Sequence, residues 1–190
     1  MISAPAAWVP RLSDIAGACD DEDLMRAPFW AAALGDAFDR AIGPAYQGCL
    51  DPADFSPRSS DAVRAVGDAD DAAIEALRTA CGEDWNMPDD ATQWRHAWFE
   101  DGAAMALAGY RAWSETTGDP CVITRPDARS AGRGTAVVSA VVAEALAKGQ
   151  LLLYQTLESN VAAVRIASSL GYQRYANHLA VRLRRDDPGG

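Results

Sequence analysis

The segment from Cys121 to Lys148 constrains the fold more than any other part of this 190-residue sequence. It begins with a short apolar run, Cys121–Thr124, passes through a loop with two arginines and two glycines, and ends in a long apolar stretch, Gly134–Lys148. Apolar residues in that stretch recur at i, i+3, i+4 and i+7, the spacing of a buried helical face. The segment therefore predicts a strand, a glycine-rich loop and a long helix in succession.

The loop between the strand and the helix has the composition of an anion-binding site. Gly132 and Gly134 allow the backbone to turn tightly and to approach a ligand without obstruction by Cβ. The free amides and the dipole of a helix start favour an anion such as pyrophosphate, and Arg129 and Arg133 add positive charge. Taken alone, the residues equally allow a solvated turn, because the pattern is neither a Walker A loop nor the GxGxxG fingerprint.

The rest of the second half alternates predicted strands and helices. Asp101-Gly102 is a favoured two-residue turn and predicts a hairpin around it. The predicted strands are 62–66, 96–100, 103–113, 120–124, 151–156 and 178–184, and the predicted helices are 70–81, 134–148 and one from Ser159 to Gly171. Strands that alternate with helices and include a hairpin predict an α/β (mixed α+β) fold with a mixed sheet.

The first sixty residues have a different pattern. Asp20–Ile42 has helix-like apolar spacing that Pro28 interrupts, and Gly43-Pro44 ends it. A proline- and serine-rich connection follows over Asp51–Asp61. We therefore predict a mainly helical N-terminal extension over residues 1–60, a second domain over residues 61–185 and a flexible tail over residues 186–190.

Two motifs in the second half resemble those of the GNAT superfamily of N-acetyltransferases. Arg129-Ser-Ala-Gly132-Arg-Gly134 matches the acyl-CoA signature Gln/Arg-x-x-Gly-x-Gly/Ala at a strand-to-helix junction. Asn160-Val-Ala-Ala163 is similar to the family's Asn-x-x-Ala helix, which closes here with Leu170-Gly171-Tyr172. The resemblance covers roughly the C-terminal two thirds, where two motifs in the right order make chance an unlikely cause. It implies a GNAT-like central mixed twisted sheet flanked by helices.

The resemblance also implies a co-substrate, acetyl-CoA, bound without a metal. The backbone of Val122, Ile123 and Thr124 would hold the pantetheine arm, and Asn160 would bond it from the far side. Asn160 can equally cap its own helix, and the two roles can coexist. The pyrophosphate would be bound by main-chain amides of the loop and of the first helical turn, with Arg129 beside it. The residues that supply these amides would be Ser130, Ala131, Gly132, Arg133, Gly134 and Thr135.

The acid and base depart from the family pattern. Ala167 stands where many members have a tyrosine that protonates the thiolate, and Gln155 stands where some have a glutamate base. Glu158 is the nearest carboxylate and a candidate catalytic base, although an acid there also stabilises a helix N-terminus. The nearest phenols along the strands are Tyr110 and Tyr154, which packing explains as well as catalysis.

The end of the sequence leaves room for only one strand after Tyr172, whereas family members usually have two. A missing strand would leave unpaired backbone groups at a sheet edge. We therefore predict that part of the N-terminal extension, Ala45–Leu50, covers that edge or builds the acceptor site.

The net charge and the cysteines indicate which partners and which cellular compartment to expect. A net charge of −10 argues against nucleic acid and suits either a cationic acceptor or simple solubility. The sequence has no apolar run of about eighteen residues and no basic N-terminal region, so neither a membrane span nor a secretory signal is expected. Four separated cysteines and two histidines form no metal-ligand pattern and are typical of a cytoplasmic protein.

The acceptor is not identified by sequence. Aromatic and acidic side chains between residues 83 and 113 suit an ammonium group, and core packing explains them equally well. These residues are Trp85, Trp94, Trp98, Trp113, Glu83, Asp84, Asp89, Asp90 and Glu100. The sequence thus predicts an acetyl-CoA-dependent N-acetyltransferase that acts on a small-molecule or protein amine. A homodimer is one of the alternatives that the sequence leaves open. The alternative to the enzyme is a catalytically weak acyl-CoA-binding sensor.

Overall fold

A computed structural model of the protein describes residues 3–87 and 92–184. The chain forms two compact units. One comprises the chain up to Tyr46, Leu157–Ser159 and the segment from Ala176 onward, and the other comprises Gln47–Thr156 and Asn160–Tyr175. The predicted tail, 186–190, and the acidic residues Asp89 and Asp90 lie outside the described residues.

Seven strands and five α-helices make up the described structure, with short 3₁₀ turns between several of them. The helices are α1 (Val9–Gly17), α2 (Ala27–Leu34), α3 (Asp71–Cys81), α4 (Arg133–Ala147) and α5 (Val161–Ser169). The strands are β1 (Phe38–Leu50), β2 (Val63–Ala65), β3 (Thr92–Glu100), β4 (Ala103–Ala112), β5 (Thr117–Thr124), β6 (Leu151–Leu157) and β7 (Gln173–Leu183).

The strands form one sheet in the order β2-β3-β4-β5-β6-β1-β7. β2 to β5 are antiparallel neighbours, whereas β5 and β6 are parallel. Asp101 and Gly102, both with positive φ, form the predicted turn between β3 and β4. The predicted mixed α/β architecture, a mixed sheet flanked by helices, is confirmed.

The predicted helix over Asp20–Ile42 is wrong from Phe38 onward. α2 ends at Leu34, where Gly35 adopts a φ of +58°, and the chain enters β1 at Phe38. Phe38 and Ile42 are spaced as in a helix, but two apolar residues four apart fit a strand as well. The N-terminal extension is therefore less helical than predicted.

β1 confirms that the N-terminal extension completes the sheet. It contains Ala45–Leu50 and lies between β6 and β7 in the strand order. β7 is the only strand in the described chain after Tyr172. Part of the predicted N-terminal extension is thus a strand of the sheet.

Apolar side chains form a separate core in each unit. In the first unit Leu12, Trp30 and Leu34 are buried and pack with partly buried side chains of β7, such as Leu179 and Val181. In the second unit, α3 packs against β4, and α4 packs against β3, β4 and β5. The predicted inward face of α4 is confirmed by four fully buried residues: Val138, Val141, Val142 and Ala145.

An ion pair joins β2 to the start of α3 and makes stability depend on pH. The Asp70 carboxylate accepts two 2.7 Å hydrogen bonds from the Arg64 guanidinium and one of 2.9 Å from the Gly67 N–H. These bonds, led by those from Arg64, lower the pKa of Asp70 from 3.8 to about 2. A depressed folded-state pKa stabilises the protein above the unfolded-state pKa, and this contribution is lost as pH falls through the folded-state pKa.

We expect Asp70→Asn to lower the free energy of unfolding at pH 7. The difference from the wild type should shrink between about pH 4 and pH 2, because the wild-type carboxylate is then protonated as well. Urea denaturation at a series of pH values measures this, with Asp71→Asn as a neighbouring control. A difference that does not change with pH would contradict the assigned pKa.

Candidate active site

The parallel strands β5 and β6 diverge soon after they pair. Their described pairs are Thr117 with Leu151 and Gly118 with Leu152, yet β5 continues to Thr124 and β6 to Leu157. Beyond Gly118, β5 therefore has an edge turned away from β4 without described pairing. Backbone groups at such an edge need other partners, and an extended ligand can supply them.

The loop after β5 ends in a set of free amides. Ser130 and Gly132 have left-handed φ values of +65° and +77°, and Gly132 is the N-cap of α4. The first hydrogen bond of the helix runs from Ala136 N–H to the Gly132 carbonyl at 3.0 Å. The amides of the three residues between them precede that bond, so they can donate to an anion at the positive end of the helix.

Gly134 lies where the helix start approaches β5 and α5. A Cβ at this position would lie 3.1 Å from Thr124 Oγ1 and 3.4 Å from Ile166 Cδ1. At Gly132, by contrast, a Cβ would meet no atom within 4 Å. Gly134 therefore suits close packing, whereas Gly132 suits a left-handed backbone and leaves open space in front of it.

These elements surround a cavity of about 740 Å³. Its volume is within the range of small-molecule sites, roughly 300–1,000 Å³. Every predicted cofactor-binding residue lines it except Ala131. The lining residues are Asp84, Asn86, Val122, Ile123, Thr124, Ala128, Arg129, Ser130, Gly132, Arg133, Gly134, Thr135, Asn160, Ala162, Ala163, Arg165, Ile166 and Ser169.

Asn160 lines the cavity and also caps α5. Its Oδ1 accepts a 3.2 Å hydrogen bond from the Ala163 N–H. This bond stabilises the helix start, as the sequence allowed. Within the described chain, the side-chain NH₂ of Asn160 has no hydrogen-bond partner, so the capping role leaves this donor for a ligand.

The two arginines of the loop are already paired. Arg129 Nη2 lies 2.7 Å from Asp84 Oδ2, and Arg129 Nε donates to the Thr124 carbonyl at 3.2 Å. Arg133 Nη2 lies 2.7 Å from Glu100 Oε1, and its Nη1 donates to the Ala128 carbonyl. Each arginine thus has a carboxylate that offsets its charge, which sequence reasoning did not anticipate.

Arg165 is a cavity residue that the sequence analysis missed. It is exposed on α5 and lines the cavity with Ala162, Ile166 and Ser169. Across residues 3–87 and 92–184 it has neither an ion-pair nor a hydrogen-bond partner. Ala162, Arg165 and Ser169 are spaced by three and four and therefore share one side of α5, but nothing in the sequence alone marks that side as the cavity face.

The three positions considered for the acid and the base, Glu158, Ala167 and Gln155, do not line the cavity. Glu158 is half-buried in the first unit, where its N–H donates to the Pro44 carbonyl at 3.0 Å, and it is not among the residues that line the cavity. Ala167 is fully buried and Gln155 is exposed. A catalytic role for Glu158 stays a prediction.

The two phenols are packed into the interior. Tyr110 is fully buried, stacks on Trp94 with ring centroids 4.8 Å apart, and donates to Gln150 Oε1 at 3.0 Å. Burial raises the pKa of Tyr110. Tyr154 is buried edge-to-face against Tyr172. These contacts support packing as the role of both phenols.

An ion pair with a buried carboxylate lies at the point where β5 leaves β6. Arg111 and Asp119 face each other across β4 and β5 and form two hydrogen bonds, of 3.0 and 2.9 Å. Burial raises the pKa of the Asp119 carboxyl, and the Arg111 guanidinium opposes that shift. Burial and Asp119 together raise the pKa of Cys121 to about 11, which keeps this thiol protonated and unreactive at neutral pH.

The four tryptophans predicted near the acceptor have separate surroundings. Trp85 packs against the second-unit core, and Trp94 stacks on Tyr110. Trp98 Nε1 donates to Glu100 at 2.8 Å, and Trp113 is exposed. No common aromatic pocket is formed by these four side chains.

Metal-binding groups and membrane-spanning helices are both absent from the described residues. No group of three or more His, Cys, Asp or Glu side chains in residues 3–87 and 92–184 is arranged to hold a metal ion. None of the helices in that part of the chain is both long and apolar enough to cross a membrane.

Comparison with known families and structures identifies the fold. Residues 100–181 match the model of the FR47-like protein family. No curated protein matches the sequence. A GNAT-family acetyltransferase from Novosphingobium aromaticivorans has a TM-score of 0.64 at 23% identity over 76% of this chain. These comparisons show the GNAT fold that the predicted resemblance implied.

Two other solved structures show the same fold. A GCN5-related N-acetyltransferase from Kribbella flavida has a TM-score of 0.59 at 23% identity over 86% of this chain. An aminoglycoside N-acetyltransferase in complex with CoA has a TM-score of 0.50 at 19% identity over 64% of this chain and 98% of its own. This chain spans 65% of the Novosphingobium protein and 65% of the Kribbella protein.

Proposed function

We propose that this chain, which has the fold of the GNAT acetyltransferases, transfers an acetyl group from acetyl-CoA to a primary amine. One observation carries the proposal: the cavity joins the two sequence motifs, the Arg129–Gly134 loop and the Asn160 helix, at the diverging edge of β5. These motifs are 31 residues apart in the sequence (from 129 to 160), and both face the same open space.

The residues present fit acyl-CoA. The open edge of β5 at Val122–Thr124 offers backbone donors and acceptors to the amide groups of pantetheine. The free amides at the start of α4 suit the pyrophosphate, and Gly132 leaves room in front of them. The neighbouring aminoglycoside acetyltransferase was solved with CoA, which supports the same co-substrate here.

In this proposal the chain mainly positions the thioester and polarises its carbonyl group. An N–H of β5 would donate to the thioester carbonyl oxygen and stabilise the negative charge that develops there. The strand edge and the helix start would fix the thioester so that the neutral amine attacks its carbonyl carbon directly. The amine proton leaves to water, and the CoA thiolate departs.

The departure of the thiolate needs little help from an acid. A thiol has a pKa of about 8.5, so the thiolate is a moderately good leaving group near neutral pH. The buried Ala167 at the usual tyrosine position therefore does not exclude turnover. The same residue is the observation that favours the alternative, an acyl-CoA-binding sensor with weak or no catalysis.

Release of free CoA thiol, followed with a panel of amines, separates the two functions. The panel should contain polyamines, amino acid derivatives, aminoglycosides and peptides with a free N-terminus. The proposal predicts acceptor-dependent thiol release above the rate of hydrolysis without an amine. Tight acetyl-CoA binding without turnover on any amine would favour the sensor. A primary amine as acceptor, a cytoplasmic setting, a homodimer and the absence of nucleic-acid and membrane partners all stay predictions.

Asp84 is expected to weaken acyl-CoA binding in the wild type. Its carboxylate lines the cavity and neutralises Arg129 at 2.7 Å, and both side chains are about half exposed. We expect Asp84→Asn to tighten acetyl-CoA binding by about threefold, because an exposed charge pair is worth under about 1 kcal/mol. Isothermal titration at low salt measures the change.

Asp127→Asn is the matched control for Asp84→Asn. Asp127 is 61% exposed, pairs with Arg125 at 2.8 Å and does not line the cavity, so its replacement changes the net charge equally without freeing Arg129. Equal effects of the two substitutions would mean that net charge alone is responsible. Weaker binding in Asp84→Asn would show that the carboxylate supports the site.

A further inference from the structure

The arginines around the cavity differ in whether a carboxylate already neutralises their charge. Three arginines line it: Arg129, Arg133 and Arg165. The first is paired with Asp84 and the second with Glu100, each at 2.7 Å. Only Arg165 has no carboxylate partner in the part of the chain that the structure describes. An anionic ligand therefore meets one uncompensated cation, and that cation is on α5.

Arg165 lies on α5, one residue before Ile166, whose Cδ1 is 3.4 Å from the position that a Cβ would take at Gly134. It follows Asn160, the N-cap of α5, by five residues, which is about 7.5 Å along the helix axis. Ala162, Ile166 and Ser169 continue the cavity wall on the same face of α5. The cavity thus extends along α5 beyond Asn160, and Arg165 is the charged group of that extension.

We propose that Arg165 binds the 3′-phosphate of CoA and makes the site selective for CoA over 3′-dephospho-CoA. This inference rests on the proposed acyl-CoA function. CoA carries a pyrophosphate and a phosphomonoester, and the amides of α4 supply donors for the first. The phosphomonoester carries nearly two negative charges at neutral pH and needs a cationic partner of its own. A guanidinium matches its oxygens in a two-pronged hydrogen bond.

Equilibrium titration of the full chain with CoA and with 3′-dephospho-CoA tests the proposal. The wild type is expected to bind CoA about tenfold more tightly, the effect of one good charge-assisted contact. Arg165→Gln should lose this preference and bind both ligands with about the wild-type affinity for 3′-dephospho-CoA. Arg165→Lys should keep part of the preference, because the charge remains and the two-pronged geometry is lost.

Arg182→Gln is the control for net charge. Arg182 is exposed on β7, does not line the cavity and carries the same charge. It should leave the preference for CoA unchanged. Arg165 is exposed on a helix surface, so its replacement by glutamine, a good helix former, should leave the fold intact, as circular dichroism can check.

The possible failures are distinct. If Arg165→Gln weakens both ligands equally, Arg165 contacts the pyrophosphate or pantetheine and the 3′-phosphate assignment is wrong. If the wild type binds both ligands equally, no residue of the chain recognises the 3′-phosphate and the assignment is again wrong. If the wild type binds neither ligand, the proposed acyl-CoA function fails together with the inference.

Discussion

Gly132→Asp is expected to weaken acetyl-CoA binding by about a hundredfold without unfolding the protein. Gly132 lines the cavity in front of the free amides of α4, and a side chain there would meet no protein atom within 4 Å. The aspartate would therefore place its negative charge in the space proposed for the pyrophosphate, where repulsion costs about 3 kcal/mol. Isothermal titration with acetyl-CoA measures the loss.

Gly149→Asp is the matched control at the other end of the same helix. Gly149 also has a left-handed φ, +72°, and open space around its Cβ position, but it follows α4 and does not line the cavity. An aspartate stabilises a helix N-terminus and destabilises a C-terminus, so the control should lose more stability than Gly132→Asp. Undiminished binding in Gly132→Asp would contradict the assignment of this loop to the pyrophosphate.

Arg111→Met is expected to destabilise the protein by about 3 kcal/mol. The substitution would leave the Asp119 carboxylate, which is 2% exposed, without the guanidinium that now donates two hydrogen bonds to it. An unpaired buried charge is costly, while its replacement by an apolar side chain is often neutral. The double variant Arg111→Met/Asp119→Leu should therefore recover most of the lost stability.

Urea denaturation of the wild type, the single variant and the double variant measures this effect. The cost of Arg111→Met should decline as pH falls toward 4, because Asp119 can then take up a proton when it folds without its partner. If the single and double variants are equally destabilised, the lost packing of Arg111 is responsible instead of the stranded charge.

The sequence predicted the elements that local spacing determines. The inward face of α4 consists of apolar residues at i, i+3, i+4 and i+7, and the Asp101-Gly102 turn specifies its hairpin without help from distant residues. The tight turn from Arg129 to Gly134 could be predicted because its glycines have a local backbone role, whereas its assignment to acyl-CoA came from the resemblance to the GNAT signature. These features depend on contacts within a few residues.

The errors and omissions concern distant contacts. The apolar spacing of Phe38–Ile42 fits a helix and a strand equally well. The segment is a strand because it pairs in the sheet, between β6 and β7. Arg129 is predicted to add positive charge to the loop, but its charge is offset by Asp84, which is 45 residues earlier in the chain. Asp119 was overlooked because nothing near it in the sequence indicates that Arg111 lies opposite on β4. Tertiary structure determines each of these.

The most direct test of the central claim is a titration of ¹⁵N-labelled protein with acetyl-CoA, followed by backbone amide shifts. The account predicts saturable binding with the largest shifts in three segments: Val122–Thr124, Ser130–Thr135 and the cavity face of α5 from Asn160 to Ser169. Shifts confined to other segments, or none at all up to millimolar acetyl-CoA, would contradict the proposal that this cavity binds acyl-CoA.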